Sequence, residues 1–205
     1  MKKQLQKKFY AFIVTAMMFS ASASAQIVYT DINPDISVIR TRLAQRGHVH
    51  IEHNMDINND NIADLKFILT SSNITAIWPK PAYTEGSVKV TPLNGSAILT
   101  GTSGNPAKMN LNASINANAN WSAIANQFII SNKKSGTTTT KTGNWNTATD
   151  GFLGVRLIIG GQTHYCWIRL TAEAFSSGDN ASILVIKDLA YSSIPNQPIL
   201  AGETN

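Results

Sequence analysis

Over residues 48–54 apolar and polar side chains alternate well: Val49 and Ile51 mark one face, His48, His50 and Glu52 the other. A two-residue period of this kind predicts a strand with one face buried. Similar short runs of β-branched and aromatic residues predict strands over 26–32, 36–41, 65–69, 74–78, 88–91, 97–100 and 128–131. The first two are divided by Asn33-Pro34-Asp35, read as a turn. Longer strands are predicted over 152–159 and 163–171, joined by Gly160-Gly161, a pair that favours a tight hairpin turn. A last long strand is predicted over 182–189.

Helical periodicity is nearly absent, and a single helical turn near 121–126 is all the pattern allows. Polar, low-complexity stretches fill 105–120 and 132–149, the second containing Lys133-Lys134 and a run of threonines that reads as an exposed loop or a splayed hairpin tip. The segment 192–205, with Pro195 and Pro198, reads as an extended, partly mobile tail. Many short strands separated by Gly, Asn and Pro turns predict an all-β fold, an antiparallel β-sandwich of jelly-roll-like kind.

The chain opens differently. Lys2, Lys3, Lys7 and Lys8 precede an apolar run over 9–19 and then alternating Ser and Ala to Ala25. This is the form of an export signal cleaved before Gln26, so residues 1–25 are read as signal peptide and 26–205 as one domain. No later segment is apolar and long enough to predict a membrane span. An exported location, periplasmic or extracellular, follows as an expectation.

Charge changes meaning once that segment is set aside. The 205 residues hold 17 Lys and Arg against 12 Asp and Glu, for +5; without the four leading lysines the balance is 13 against 12, or +1. A basic stripe with interleaved aromatics is lacking, which argues against a nucleic-acid partner. With a single cysteine, Cys166, the chain has no internal disulfide to fasten its loops.

A bound cation is one substitute. Asp56, Asn58, Asp60 and Asp64 stand at the first, third, fifth and ninth places of an EF-hand-like calcium loop, with the Ile62 carbonyl at the seventh. Asn61 holds the tight-turn place, where positive φ is needed. Phe67 stands where the bidentate glutamate belongs, and the loop joins two strands rather than two helices. Structural calcium is the expected cofactor, with the Ile62 side chain tucked into the core.

Val28 to Asp35, the segment Gly151-Phe152-Leu153-Gly154-Val155-Arg156, the run Gly161-Gln162-Thr163-His164-Tyr165-Cys166-Trp167-Ile168-Arg169-Leu170 and the closing Pro195-Asn196-Gln197-Pro198 together resemble a group of uncharacterised exported bacterial β-sandwich proteins. Members often carry a C-terminal sorting tail. Here Cys166 stands where the group usually has glycine, and no such tail follows Gly202. The resemblance implies a β-sandwich outside the cytoplasm and carries no catalytic residues.

Two further clusters invite chemistry. His48, His50 and Glu52 share a strand face, a spacing that zinc sites also use, though a solvated face is the simpler reading. His164 and Cys166 lie two apart on a strand, where side chains stand side by side rather than in hydrogen-bond reach, so Cys166 is read as a small core residue. Trp121, Trp145, Tyr165 and Trp167 are a candidate aromatic binding surface for sugars, against the alternative of core positions. The leading expectation is a non-catalytic calcium-binding sandwich that interacts with a glycan or cell-surface polymer. The alternatives are a secreted polysaccharide hydrolase working in a sandwich groove and a purely structural surface or matrix component.

Overall fold

The structure is a computed structural model that describes residues 27–146 and 149–205. The export-signal expectation concerns residues outside that set. No helix forms among the described residues, and none is long and apolar enough to cross a membrane. The chain is an all-β antiparallel sandwich.

One sheet has five strands in the order β2 (Gly47–Met55), β3 (Leu65–Ile74), β4 (Tyr83–Pro92), β8 (Gln127–Ser135) and β9 (Thr138–Thr142). The other runs β1 (Ile27–Thr41), β12 (Asn180–Ser192), β11 (Gln162–Ala174), β10 (Gly151–Ile159), β5 (Ala97–Leu99) and β7 (Trp121–Ser122). Each sheet grows by neighbouring hairpins, β2-β3-β4 in one and β10-β11-β12 in the other, so local turns set most of the pairing.

The alternation read from the sequence decides which faces meet. On β2 the half-buried Val49 and Ile51 turn inward, and His48, His50 and Glu52 lie exposed. Phe67 pairs with Val90 and Leu69 with Val88 across β3 and β4, placing all four on the inner face. Against them pack Cys166, Ile168 and Leu170 of β11 with Leu184 and Ile186 of β12 in one apolar core.

Several local expectations are corrected. Residues 33–35 do not end a strand: β1 is continuous, with a register shift between Asp31 and Ile36 against β12. Pro34 has no N–H to give, and an edge strand with a bulge is where a sheet tolerates that. The separate strand expected over 74–78 does not form: β3 runs on to Ile74, and residues 75–82 leave the sheet as an exposed connection. The expected helical turn near 121 is the short strand β7, paired with β5 through Ile98↔Ser122 and Leu99↔Trp121.

The tail is also not mobile chain. β13 (Ile199–Leu200) pairs with β6 (Ser114–Ile115), through Ile199↔Ile115. The Ala201 N–H donates to the Ala113 carbonyl (2.9 Å), and the Asn112 N–H donates to that of Ala201 (2.8 Å). Together the 105–120 stretch and the tail cover the outer face of the six-stranded sheet. There Leu99, Ile115, Tyr165, Trp167, Ala190, Ile199 and Ala201 form a second buried cluster. Sparse apolar residues in polar chain suffice, because each lands on a sheet face already rich in aromatics.

An ion-pair network sits beside this cover. Arg169 on β11 donates from Nε and Nη2 to the two Asp188 oxygens on β12 (2.8 and 2.6 Å), and the Tyr29 hydroxyl donates to the same carboxylate (3.2 Å). The hydrogen bonds to Asp188 hold the Arg169 guanidinium above its usual value. Asp150 joins through Thr171 and Lys187. Burial pushes the Asp150 carboxyl up, but these hydrogen bonds and cations outweigh it and hold it below the usual carboxylate value.

Candidate functional site

The loop 56–64 joins β2 to β3 at one end of the five-stranded sheet. Met55 and Leu65 are paired at its base, and the Asp64 N–H donates to the Met55 carbonyl (2.8 Å). Asn59 and Asn61 both take left-handed φ, 61° and 68°, a region asparagine enters more readily than other side-chain-bearing residues. The turn wraps Asp56: one oxygen accepts from the N–H groups of Asn59 (2.7 Å) and Asp60 (3.2 Å), the other from Asn61 (2.7 Å). Asp60 accepts from the Ile62 N–H (2.8 Å) and from the Asn58 amide (2.9 Å).

Asp64 is the buried member, only 5% exposed, and it accepts from the Ile57 N–H (2.8 Å). Burial pushes its carboxyl up, Asp56 and Asp60 push the same way, and the Ile57 N–H opposes them. Asn58 Oδ1 is buried without a hydrogen-bond partner. The loop therefore concentrates negative charge and acceptor oxygens where protein donors only partly answer them. Among the described residues, however, no three His, Cys, Asp or Glu side chains are drawn together as a metal-holding group. Asp56, Asp60 and Asp64 are thus not gathered on one point here, and Asp56 and Asp60 turn oxygens to backbone N–H groups of the loop itself.

The hydrophobic anchor differs from expectation. The Ile62 side chain is 53% exposed and does not tuck into the core; Ile57, at the second place of the loop, is 4% exposed and does. The loop is braced from the β4–β5 turn, where Asn94 donates to the Ala63 carbonyl (2.7 Å) and the Leu93 N–H to that of Asp64 (2.8 Å). Beside it a cleft of about 440 Å³ opens between the β1 bulge and the loop, lined by Ile32, Ile36, His53, Asp56, Asn59 and Leu189 among others. Burial lowers the His53 imidazole below its usual value.

The chain matches no protein-family model, no curated protein and no solved structure.

On the outer face of the five-stranded sheet, His48, His50, Glu52, Ile68, Thr70, Lys89 and Asn126 line a shallow depression of about 270 Å³. His48 Nδ1 shares a hydrogen bond with the Ser72 hydroxyl (2.6 Å), and His50 Nε2 lies 3.7 Å from Glu52. Lys66 Nζ donates to both Glu52 oxygens (3.2 Å each). Glu52 is the only carboxylate in this lining, so the acid and base pair of a glycosidase is not assembled here. What the depression offers is a polar relief of imidazole, amide, ammonium and hydroxyl groups.

The aromatic surface read from the sequence is corrected. Trp145, Tyr165 and Trp167 are at most 2% exposed, and Trp121 is half-buried, stacked on Tyr165 with centroids 5.8 Å apart. Tyr165 and Trp167 do point away from the main core, but the tail and the 105–120 stretch lie over them. Trp145 belongs to the main core itself. The sequence reading missed a different aromatic: Trp78 is 94% exposed.

Cys166 faces the sandwich interior and is fully buried, and burial pushes its thiol well above the ordinary value. His164, two residues away, donates from Nδ1 to the Ser192 carbonyl (2.8 Å). A thiol without thiolate character or solvent access is inert. A thiol-reactive chromophore is therefore expected to leave Cys166 unmodified in native buffer and to titrate one thiol in denaturant. Fast native modification would contradict the packing.

Proposed function

We propose that the protein is an exported, non-catalytic β-sandwich, fastened by one calcium ion in the loop 56–64, that acts as an interaction module for a glycan or cell-surface polymer. The observation that carries the calcium reading is the pairing of the desolvated Asp64 carboxyl with the buried, unpartnered Asn58 Oδ1 in one loop. A hard cation would answer both groups, with Asp56, Asn58, Asp60, Asp64 and the Ile62 carbonyl as the oxygen donors. It would offset the repulsion that Asp56 and Asp60 exert on Asp64 and would tie the end of β2 to the start of β3. The ion's part is structural, since no reacting group lines the loop.

The polymer reading is supported by the outer depression around His48, His50, Lys89 and Asn126, whose hydrogen-bonding groups suit hydroxyl-rich ligands. A glycan array probed with and without chelator tests it. Loss of every signal in both conditions removes the glycan reading and leaves the calcium reading standing.

Calcium is tested by thermal melting. At calcium a hundredfold above its dissociation constant, binding to the folded state contributes about 2.7 kcal/mol. For a domain of this size that raises the midpoint by about 5–10 °C. Asp60 lies on the exposed side of the loop, so Asp60→Ala is expected to fold and to lose most of that rise. A midpoint unmoved by millimolar calcium in the parent chain counts against the site.

A further inference from the structure

At the end of the sandwich opposite the loop 56–64, four connections meet. Gly47 pairs with Asn73, Ile74 with Tyr83 and Thr84 with Lys134, which brings residues 42–46, 75–82 and the β8–β9 tip together. The Ser135 hydroxyl donates to the Ala82 carbonyl (2.9 Å), and the Thr84 hydroxyl donates to that of Ser176 (2.8 Å), adding the β11–β12 turn.

The 75–82 connection is exposed throughout, yet it is not shapeless. Ile77 and Lys80 exchange both backbone hydrogen bonds (3.0 and 2.7 Å), closing a tight turn around Trp78 and the cis residue Pro79. With the backbone satisfied internally, the turn holds its side chains out: Trp78 is 94% and Ile77 56% exposed. The other three tryptophans are buried or half-buried in the two clusters, so Trp78 stands apart from them. No core interaction accounts for so large an apolar side chain at a projecting tip.

The charge around it is mostly of one sign. The four connections and the strand ends beside them contain Arg42, Arg46, Lys80, Lys133 and Lys134 against two acids, Asp179 and Glu85, the second paired with Lys133 across the sheet and accepting from the Ser131 hydroxyl. Arg42 is occupied, donating to the Phe175, Gly178 and Asn180 carbonyls, and Lys133 lies over the Tyr83 ring. Arg46, Lys80 and Lys134 take no part in the ion pairs of the described residues. The tip is convex, and the pocket behind it is lined by Asn73, Tyr83, Lys134 and Ser176 and not by Trp78. An indole that projects outside this pocket, on an end of the sandwich where cations outnumber acids, suits a deformable anionic plane better than a small ligand or a fitted protein pocket. Tryptophan favours the headgroup level of a bilayer, and lysines beside it pair with lipid phosphates.

We propose that this end of the sandwich seats on an anionic lipid surface, with Trp78 and Ile77 entering the headgroup region and Arg46, Lys80 and Lys134 meeting the phosphates. The proposal is independent of the calcium and glycan readings. Its test uses the chain from Gln26, because both sheets are built from residue 27 onward. Sedimentation and tryptophan emission are measured with phosphatidylcholine vesicles, with and without phosphatidylglycerol, and in parallel with polyglutamate as a soluble polyanion.

Binding to the phosphatidylglycerol vesicles with a blue-shifted emission, weakened by salt, is the expected result. Trp78→Ala should weaken it about tenfold and abolish the shift, and Lys80→Ser and Lys134→Ser about fivefold each. Trp78→Ala should keep the parent melting midpoint, which separates lost binding from lost fold. Three results overturn the proposal: no vesicle binding, vesicle binding indifferent to Trp78→Ala, or equal retention by polyglutamate with no blue shift on vesicles.

Discussion

Replacing Trp167 by alanine is expected to destabilise the fold by about 4 kcal/mol, as large an effect as any single truncation in the molecule. The side chain is 1% exposed on the outer face of β11. Phe152 meets it edge-on with centroids 5.4 Å apart, and Tyr29 lies tilted at 6.1 Å. Its Nε1 donates to the Glu203 carbonyl (3.0 Å), so the same residue pins the end of the tail. Alanine removes the indole, leaves a cavity between sheet and cover, and orphans a partly buried carbonyl.

Urea unfolding measures the loss, and the tail supplies a second reading. Proteolysis within 193–205 should accelerate more than the global destabilisation explains, since the cover loses its anchor locally. Trp78→Ala is the control: a side chain that packs against nothing should change stability by no more than about 0.5 kcal/mol. Had Trp167 been an exposed sugar platform, the two substitutions would cost alike.

That contrast marks where the sequence was legible. Two-residue alternation on β2 and the Gly160-Gly161 hairpin are local signals, and such signals gave most of the long strands, the β10–β11 hairpin and the sandwich class. The same alternation assigned His48, His50 and Glu52 to the outer face. The turn of the acidic loop was legible down to the positive φ of Asn61, because its Asn and Asp spacing and turn chemistry reside within nine residues.

What alternation cannot say is whether an outward face stays open. Tyr165 and Trp167 point outward, and only a long-range pairing, Ile199 with Ile115, decides that they are covered. Trp78 is the reverse case. A short apolar run reads as strand, and the turn that instead exposes it depends on the exchange of hydrogen bonds between Ile77 and Lys80. Ile57 and Ile62 exchanged roles for a similar reason, since the direction of a side chain from a loop has no period to follow.

The second large effect is expected at a residue with no side chain. Gly86 lies on β4, where it pairs with Ser71 on one side and Asn132 on the other. Propensity alone favours replacing it, because glycine inside a strand costs about 0.5–1 kcal/mol relative to alanine. Its surroundings reverse the sign. A Cβ built there would stand 1.7 Å from the Ala181 carbonyl oxygen, 2.5 Å from its carbon and 2.8 Å from the Phe175 oxygen, backbone atoms of β12 and of the β11–β12 connection. The Ala181 carbonyl is itself engaged, accepting from the Phe175 N–H (2.9 Å).

No rotamer change relieves a backbone clash, so Gly86→Ala must either part the two sheets or break the Phe175–Ala181 hydrogen bond. Overpacking of this kind costs about 1–3 kcal/mol, and the lost hydrogen bond adds about 1 more. A net loss near 3 kcal/mol in urea unfolding is expected. Parting of the sheets should also loosen the Ser182 hydroxyl's bond to the Thr70 carbonyl (3.3 Å), which links the sheets close by, and speed exchange of the amides around it. A Gly86→Ala chain as stable as its parent would mean that the sheets do not approach backbone to backbone here, and that the basic end carrying Trp78 is held together by something other than this contact.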